Sequence, residues 1–302
     1  MITERINLTN SYRNMRVLVF GHIGWIGSQL VDLLKTSSNV ELILSNARLD
    51  DYGSLIHEFN RSSGVTHCLL AAGLTGRPNV DWCEDNKRQV IRVNVIGTSI
   101  VADLCNRRGI HLTFLSTGCI YEYDERHPIG GPGFVETDEP NFNKSFYSHT
   151  KILVERIVTE FPTTLVLRIR MPLSDDMNDR NFITKITRYD KVVNVPNSMT
   201  VLHDLLPIIP DMMERGLCGV FNFCNPGAIS HNEILDLYKK YIDPNFVYQN
   251  FSVEEQSSIL KAGRSNNCLD VTKLVKEYPQ IEPIGISIVK LFERMKVVMS
   301  NS

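Results

Sequence analysis

The regular alternation of short apolar segments with longer amphipathic segments constrains the fold of this chain more than any other feature. The apolar segments are rich in β-forming residues and lie at 16–20, 40–44, 66–70, 111–115 and 164–169. Segments of helical periodicity follow at 25–34, 54–60, 86–108 and 146–160. Strands that alternate with helices form right-handed crossovers and a parallel sheet covered on both faces. The sequence therefore predicts an α/β fold with a Rossmann-type, doubly wound parallel sheet.

The alternation ends near residue 172, after which helical and strand-like segments are mixed. This change predicts a smaller C-terminal α/β lobe over the carboxyl ends of the strands, where open α/β sheets bind ligands. We expect three parts: a flexible lead-in at 1–14, a nucleotide-binding Rossmann domain at 15–172, and a lobe at 173–302 that mainly binds the substrate.

Composition and cysteine usage exclude several classes of protein. The 302 residues carry a net charge of −2 without runs of like charge, so no basic footprint for nucleic acid is expected. No apolar stretch reaches the roughly 20 residues that span a bilayer, and residues 1–14 lack the apolar segment of a secretory signal. The seven cysteines are scattered, without metal-binding spacing. We therefore expect a cytoplasmic protein with free thiols and no bound metal.

Gly21, Gly24 and Gly27 stand between the first predicted strand and the first predicted helix. At such a junction the first glycine permits a tight turn, the second lets the backbone approach a pyrophosphate, and the third lets helix and strand pack closely. The phosphates then meet free N–H groups and the positive dipole at the helix N-terminus. The spacing predicts a dinucleotide site that also includes Trp25 and Ile26.

The end of the second predicted strand bears on which dinucleotide binds. An acidic residue at that position usually binds the ribose 2′-hydroxyl of NAD. Here the strand ends without a carboxylate, and Arg48 follows, which can bind the 2′-phosphate of NADPH. The sequence therefore favours NADPH, while Asp50 and Asp51 directly after Arg48 leave the use of NADH open.

Tyr147 and Lys151 are four residues apart and share one face of a predicted helix. An ammonium group beside a phenol favours the phenolate, so we expect Lys151 to lower the pKa of Tyr147. Thr117 follows the fourth predicted strand and can hydrogen-bond both a substrate carbonyl oxygen and the tyrosine, which completes a carbonyl-reducing set. Asn94, on the long preceding helix, is expected to bend that helix and to join a proton relay to Lys151.

Together these features resemble an extended short-chain dehydrogenase/reductase over roughly the first 175 residues. The features that carry the resemblance are the glycine turn, the strand end Ala71-Ala72-Gly73, Asn94, Thr117, Tyr147 and Lys151. The resemblance implies that the strand end, the tyrosine and the lysine contact the cofactor.

Four longer segments, at 73–84, 180–186, 193–201 and 264–267, resemble one branch of that family, the bifunctional 3,5-epimerase/4-reductases that make UDP-L-rhamnose. The resemblance implies that UDP-4-keto-6-deoxy-D-glucose is epimerised at C3 and C5 and that NADPH then reduces its 4-ketone. A 4-ketone acidifies the hydrogens on both neighbouring carbons, so one carbonyl-binding site can serve both steps. The resemblance further implies a homodimer and a separate 4,6-dehydratase that supplies the ketone.

Epimerisation needs a base on one face of the sugar and a proton donor on the other. The run 117–121 is similar to the one that holds the catalytic cysteine of GDP-fucose synthases, which implies that Cys119 is the base. A thiol beside a cation suits this role. The opposing acid in those enzymes is a histidine, whereas the matching stretch here offers Lys185, whose pKa burial in a closed pocket would lower.

Contacts to the nucleotide sugar are expected from five polar residues, Arg77, Asn79, Asn181, Asn197 and Arg264. Arg264 suits the diphosphate because a guanidinium binds phosphate bidentately. Two alternatives stay open from the sequence alone. A monofunctional 4-reductase of a dTDP- or UDP-4-keto-6-deoxy sugar does not need Cys119, and a non-catalytic NADP(H)-binding regulator does not need Tyr147.

Overall fold

The computed structural model describes residues 15–300, so the predicted lead-in at 1–14 lies outside the described residues. The strands in this range are β1 (Met15–Phe20), β2 (Val40–Ser45), β3 (His67–Leu70), β4 (His111–Thr117), β5 (Thr164–Ile169), β6 (Pro172–Leu173), β7 (Lys191–Val192), β8 (Thr200–Val201), β9 (Gly219–Asn222) and β10 (Gln249–Asn250).

The α-helices of the described range are α1 (Trp25–Lys35), α2 (Tyr52–Arg61), α3 (Trp82–Asp85), α4 (Lys87–Val90), α5 (Thr98–Arg107), α6 (Phe146–Val158), α7 (Phe182–Ile186), α8 (Leu202–Leu205), α9 (Ile209–Glu214), α10 (His231–Tyr241), α11 (Val253–Ile259), α12 (Thr272–Glu277) and α13 (Ile284–Ser300). A π-helical segment, Ile91–Gly97, joins α4 to α5, and a 3-10 turn, Leu206–Ile208, joins α8 to α9. In the part of the chain that the structure describes, none of the helices is long and apolar enough to cross a membrane; a cytoplasmic location stays a prediction.

The main sheet contains six parallel strands in the order β2-β1-β3-β4-β5-β9, which confirms the predicted doubly wound architecture. Chain direction across the sheet reverses between β1 and β3, and the crevice at such a switch point is where ligands bind. Alternate residues of β1 point to opposite faces: Val17 and Val19 pack into one core, and Leu18 and Phe20 into the other. Burial on both faces explains why the strands read as continuous apolar runs.

The smaller lobe has its own core, in which α7, α10 and α13 pack around β8. The edge strand β9 is a departure from the expected division at residue 172, because the sequence places 219–223 in this lobe. In the structure β9 pairs with β5 through Val166 and Val220 and completes the main sheet. The division at 172 therefore does not hold for β9, and the role of the remaining lobe in binding substrate stays a prediction.

Candidate active site

The glycine turn after β1 has the shape required for close approach of a phosphate. Gly21 has a φ of +84°, and a Cβ there would lie 2.6 Å from the Ala72 nitrogen. A Cβ on Gly27 would lie 2.1 Å from the Gly21 carbonyl oxygen. Gly24 precedes α1, and among the described residues no side chain caps this helix, so its first N–H groups are available. The turn therefore fits a pyrophosphate.

Trp25 and Ile26 are the first two residues of α1 and contact different parts of the protein. The Trp25 indole Nε1 donates to Asp176 Oδ2 at 2.7 Å, which links the glycine turn to the segment after β6. Ile26 packs against the core on one face of the main sheet. Their predicted contacts with the cofactor stay predictions, but the Trp25–Asp176 bond shows that the turn and the smaller lobe are in direct contact.

Arg48 lies after β2 with an exposed side chain and a carboxylate partner. Its Nε and Nη2 donate to the two oxygens of Asp50 at 2.9 and 3.0 Å. This pairing raises the pKa of Arg48 and lowers that of Asp50. A groove of about 400 Å³ lies alongside, lined in part by Asn46 and Ser54. A 2′-phosphate would therefore share Arg48 with Asp50, and the preference for NADPH stays a prediction.

Asn94 fixes the strand end that carries Ala71, Ala72 and Gly73. It lies in the π-helical segment and is 3% exposed. Its Oδ1 accepts from the Leu74 N–H, and its Nδ2 donates to the Leu74 carbonyl, each at 2.8 Å. These bonds clamp the segment at the mouth of the crevice. The helix is π-helical around Asn94, while the expected bend and the relay to Lys151 stay predictions.

Tyr147 is buried on α6 beside the end of β4. Burial raises its pKa above the ordinary value, a charge on Cys119 would raise it further, and a hydrogen bond with Thr117 lowers it. The expectation that Lys151 lowers this pKa is wrong for the arrangement in the structure, because burial dominates. Tyr147 is instead held as a protonated acid that Thr117 contacts.

Lys151 is buried one turn after Tyr147 and points to the backbone of β4. Its Nζ donates to the Leu115 carbonyl oxygen at 3.3 Å and lies 4.3 Å from the centroid of the Phe114 ring. Burial lowers the pKa of Lys151 to about 8, and the charge of Glu155 opposes this effect. A buried lysine of this kind changes its charge close to neutrality.

Glu155 and Arg168 form a buried ion pair that the sequence did not reveal as part of the site. Arg168 donates to Glu155 Oε1 from Nε at 3.0 Å and from Nη2 at 2.6 Å. Ser116 Oγ donates to Glu155 Oε2 at 2.8 Å. Glu155 thereby ties the carboxyl ends of β4 and β5 to α6. The sequence feature that could have indicated this role is the position of Glu155 four residues after Lys151, on the same face of the helix.

We expect Glu155→Ala to lower the free energy of unfolding by about 3–5 kcal/mol, because it leaves the Arg168 charge buried without its carboxylate. Urea denaturation followed by circular dichroism measures the change. Glu139 serves as the control, since it pairs with Arg156 at the surface, where the two side chains are 84% and 63% exposed. Glu139→Ala should leave stability nearly unchanged; equal losses in both variants would contradict the role of the buried pair.

Cys119 lies two residues after β4 and is half-buried. Its Sγ accepts a hydrogen bond from Arg170 Nη1 at 3.2 Å. Its N–H donates to Thr117 Oγ1 at 3.1 Å, and its carbonyl oxygen accepts from Ser148 Oγ at 2.6 Å. The thiol packs against the small cluster that contains Tyr147. The cation beside the thiol is therefore Arg170, the residue after β5, which the sequence left unidentified.

Asn181 and Asn197, two of the predicted substrate contacts, are fully buried with partners inside the protein. Asn181 caps α7, where its Oδ1 accepts from the Ile183 N–H at 3.2 Å. The Oδ1 of Asn197 accepts from Arg170 and, at 3.0 Å, from the Asn267 N–H. These contacts give both asparagines a positioning role, and burial argues against direct contact with a nucleotide sugar.

Three cations gather where the segment after β3 meets α7. Arg180 Nη1 donates to Thr75 Oγ1 at 2.7 Å, and its pKa is lowered by burial and by the charge of Arg77. Burial and the charge of Arg180 in turn lower the pKa of Lys185, as the sequence predicted for that lysine. Within residues 15–300 none of the three forms an ion pair. The crevice is therefore positive and suits a phosphate-bearing ligand.

Arg264 and Asn79 both bind Asp81, Arg264 through the carboxylate and Asn79 through the backbone N–H. Arg264 Nη1 donates to Asp81 Oδ1 at 2.8 Å and to the Ala262 carbonyl at 2.7 Å. Asn79 Oδ1 accepts from the Asp81 N–H at 2.8 Å. Since Asp81 already balances the charge of Arg264, the unpaired Arg77 and Arg180 are the stronger candidates for the diphosphate.

The parallel sheet, the glycine turn and the Thr117, Tyr147 and Lys151 set define an extended short-chain dehydrogenase/reductase. A family model described as the RmlD substrate binding domain matches residues 15–206, and the chain belongs to this family.

Relatives of this chain include plant and viral proteins. A bifunctional dTDP-4-dehydrorhamnose 3,5-epimerase/dTDP-4-dehydrorhamnose reductase of Arabidopsis thaliana is 48% identical, over 95% of this chain and 96% of its own length. A trifunctional UDP-glucose 4,6-dehydratase/3,5-epimerase/reductase from the same plant is 50% identical over 94% of this chain, which spans only 43% of that relative. The crystal structure of the UDP-rhamnose synthase of Acanthamoeba polyphaga mimivirus is 37% identical, with a TM-score of 0.86 and coverage of 92% of this chain and 99% of its own.

Proposed function

We propose that this chain epimerises UDP-4-keto-6-deoxy-D-glucose at C3 and C5 and reduces the 4-ketone with NADPH to give UDP-L-rhamnose. The observation that carries the proposal is that Thr117 ends β4 and Cys119 lies in the turn directly after it, with Tyr147 packed against that turn. A carbonyl bound there has a proton donor and a candidate base within one pocket. The similar plant protein of matching length is named for both activities, and the similar viral one for UDP-rhamnose synthesis.

NADPH fits the crevice at the switch point of the sheet. The glycine turn and the free N–H groups of α1 would donate to its pyrophosphate, and Arg48 would bind the 2′-phosphate. When bound, NADPH supplies a hydride to the carbon of the 4-ketone. The remaining chemistry belongs to the side chains.

In the reduction, Tyr147 gives its phenolic proton to the C4 oxygen as the hydride arrives at carbon. Thr117 holds that oxygen through its hydroxyl and keeps the tyrosine aligned. Lys151 holds α6 against β4 through the Leu115 carbonyl and so keeps Tyr147 beside Thr117. Water restores the proton afterwards.

In the epimerisation, the Cys119 thiolate removes a proton from C3 or C5, and the C–H electron pair moves into the carbonyl as an enolate. Thr117 and Tyr147 hydrogen-bond the enolate oxygen. The Lys185 ammonium then delivers a proton to the opposite face of that carbon, and the electron pair returns to form the new C–H bond. The thiol and the amine exchange protons with water before the second centre reacts.

Arg77 and Arg180 provide the positive charge that the substrate diphosphate needs, while Arg264 and Asn79 organise the rim of the crevice. The trifunctional plant relatives are named for a 4,6-dehydratase as well. We propose that such a dehydratase activity supplies the ketone.

Incubation of the protein with UDP-4-keto-6-deoxyglucose, NADPH and heavy water tests the proposal. We expect NMR to show UDP-L-rhamnose with deuterium at C3 and C5, and the absorbance of NADPH to fall. Reduction without deuterium uptake would contradict the epimerase activity and favour a monofunctional 4-reductase. If NADPH is not consumed, the protein is not a reductase, and the alternative of a non-catalytic NADP(H)-binding regulator is favoured.

We also propose that the chain forms a homodimer through α6 and the helix that contains Asn94. These helices expose apolar side chains at the surface: Ile91, Ile96, Leu153 and Ile157 are 38%, 40%, 38% and 41% exposed. Isoleucine and leucine on two adjacent helices suit the pairing of equivalent faces in a four-helix interface.

We expect Ile157→Asp to convert the dimer to a monomer, because the carboxylate would be buried without a partner in the interface. Light scattering coupled to size-exclusion chromatography measures the mass. Ile286→Asp is the matched control, since Ile286 is 50% exposed on α13, away from this face. A dimer that survives Ile157→Asp, or a wild-type monomer at high concentration, would contradict the assignment.

A further inference from the structure

Arg170 is the bulkiest fully buried side chain of the described residues. Its Nη1 donates to Cys119 Sγ at 3.2 Å and to Ser265 Oγ at 3.1 Å. Its Nη2 donates to Asn197 Oδ1 and, at 2.6 Å, to the Ser265 carbonyl. Within residues 15–300 no carboxylate pairs with this guanidinium. A buried charge without a counter-ion is strongly destabilising, so the structure calls for an anion beside Arg170.

Cys119 is the group that can supply this negative charge. Arg170 also faces Tyr123, Cys224, Cys268 and His231. Burial raises the pKa of the tyrosine and of the two cysteines and lowers the pKa of the histidine, so all four are neutral near neutral pH. Tyr147, which faces Cys119 from α6, is likewise held in its neutral form by burial. Of these groups, Cys119 is the one whose sulfur accepts a hydrogen bond from the guanidinium, and it is only half-buried.

We propose that Arg170 is a positioning residue that holds Cys119 as a thiolate and fixes the direction of its sulfur. The role of the thiolate in removing protons at C3 and C5 rests on the proposed function. The presence of a thiolate beside Arg170 does not depend on that function. A guanidinium is permanently charged and only weakly hydrated, which suits it to an ion pair that is largely removed from water.

Two sequence motifs converge on this ion pair. Asn197, from the motif at 193–201, and Ser265, from the motif at 264–267, both bind the guanidinium. Asn267 donates to the Gly118 carbonyl at 3.1 Å and to the Tyr121 carbonyl at 2.9 Å, and so clamps both sides of the turn that carries Cys119. The two motifs therefore bind the arginine and the cysteine turn together as one rigid unit.

The test measures the alkylation rate of Cys119 by iodoacetamide, with the modified residue located by mass spectrometry. Exposed Cys218 in the same molecule is the internal reference. At neutral pH we expect Arg170→Met to slow alkylation of Cys119 by about tenfold or more, since an unassisted thiol is only a few per cent ionised there. The variant should recover the wild-type rate in alkaline solution, which a merely misplaced sulfur would not do. Arg170→Lys should restore part of the rate at neutral pH.

Asn197→Asp provides a second variant that keeps Arg170 and nearly preserves the shape of the site. The new carboxylate competes with the sulfur for the guanidinium, so alkylation of Cys119 should slow in the same direction. Arg215→Met, which removes a surface arginine, should change nothing. If Arg170→Met does not fold, the alkylation rate of Cys119 in Asn197→Asp tests the proposal instead. Wild-type alkylation rates in a folded variant of either kind would overturn the proposal.

Failure of the proposed function would give a different result. Cys119 of the wild-type protein would then be alkylated fast, but the protein would exchange no deuterium into the sugar.

Discussion

Replacing Tyr147 by Phe is expected to slow reduction of the 4-ketone by about a thousandfold, the usual contribution of a positioned general acid. The substitution removes the proton that must reach the C4 oxygen and keeps the ring that fills the buried pocket. Consumption of NADPH with the already epimerised UDP-4-keto-L-rhamnose measures the step directly.

Tyr278→Phe is the matched control, since the Tyr278 hydroxyl is also bound inside the protein, to Asp211 at 2.6 Å, far from the crevice. It should reduce the ketone at the wild-type rate. Deuterium exchange in Tyr147→Phe should persist at a lower rate, because Thr117 still holds the enolate oxygen. Wild-type reduction by Tyr147→Phe would remove the tyrosine from the mechanism.

Local sequence patterns were sufficient for the parts of the site that depend on neighbouring residues. The glycine turn is confirmed because each glycine meets backbone within a few residues or at the adjacent β3. The shared helix face of Tyr147 and Lys151 follows from helical spacing. The pKa of Tyr147 could not be predicted in the same way, because it depends on burial by the whole fold and not on the lysine one turn away.

Contacts between residues distant in sequence explain what the sequence did not show. Arg168 and Arg170 read as polar residues at the end of a strand, yet both are buried. The partners of Arg170 lie 51 residues before it, at Cys119, and 95 after it, at Ser265. Strand β9 joined the main sheet for the same reason, since its pairing with β5 crosses about fifty intervening residues and has no local signal.

The location of Thr117 and Cys119 at the carboxyl end of β4 relates the proposed epimerisation to the proposed reduction. Thr117 and Cys119 stand two residues apart and are joined by a hydrogen bond, so in the proposed mechanism the carbonyl-binding hydroxyl and the base are held together. Ser148, next to Tyr147, binds the Cys119 carbonyl and fixes that turn to the helix of the acid. Under the proposed function, a ketone bound once would be enolised and then reduced without leaving the site.

Cys119→Ala is expected to lower deuterium uptake at C3 and C5 by two orders of magnitude or more, roughly 10²–10⁴-fold, because the candidate base is removed. Reduction of UDP-4-keto-L-rhamnose should be nearly unchanged, since Thr117, Tyr147 and Lys151 remain. NMR of the sugar in heavy water measures the exchange, and NADPH absorbance measures the reduction. The separation of the two rates is what distinguishes a lost base from a damaged pocket.

Cys218→Ala is the control for loss of a thiol, because Cys218 is exposed and lies after α9. It should leave both rates unchanged. Equal loss of exchange and reduction in Cys119→Ala would mean that the residue supports the pocket rather than acting as a base. Exchange at the wild-type rate would assign the proton abstraction to another group and leave the epimerase role without its base. Loss of exchange alone places Cys119 before Tyr147 in the order of steps, since the ketone must be inverted at C3 and C5 before the hydride makes the change at C4 permanent.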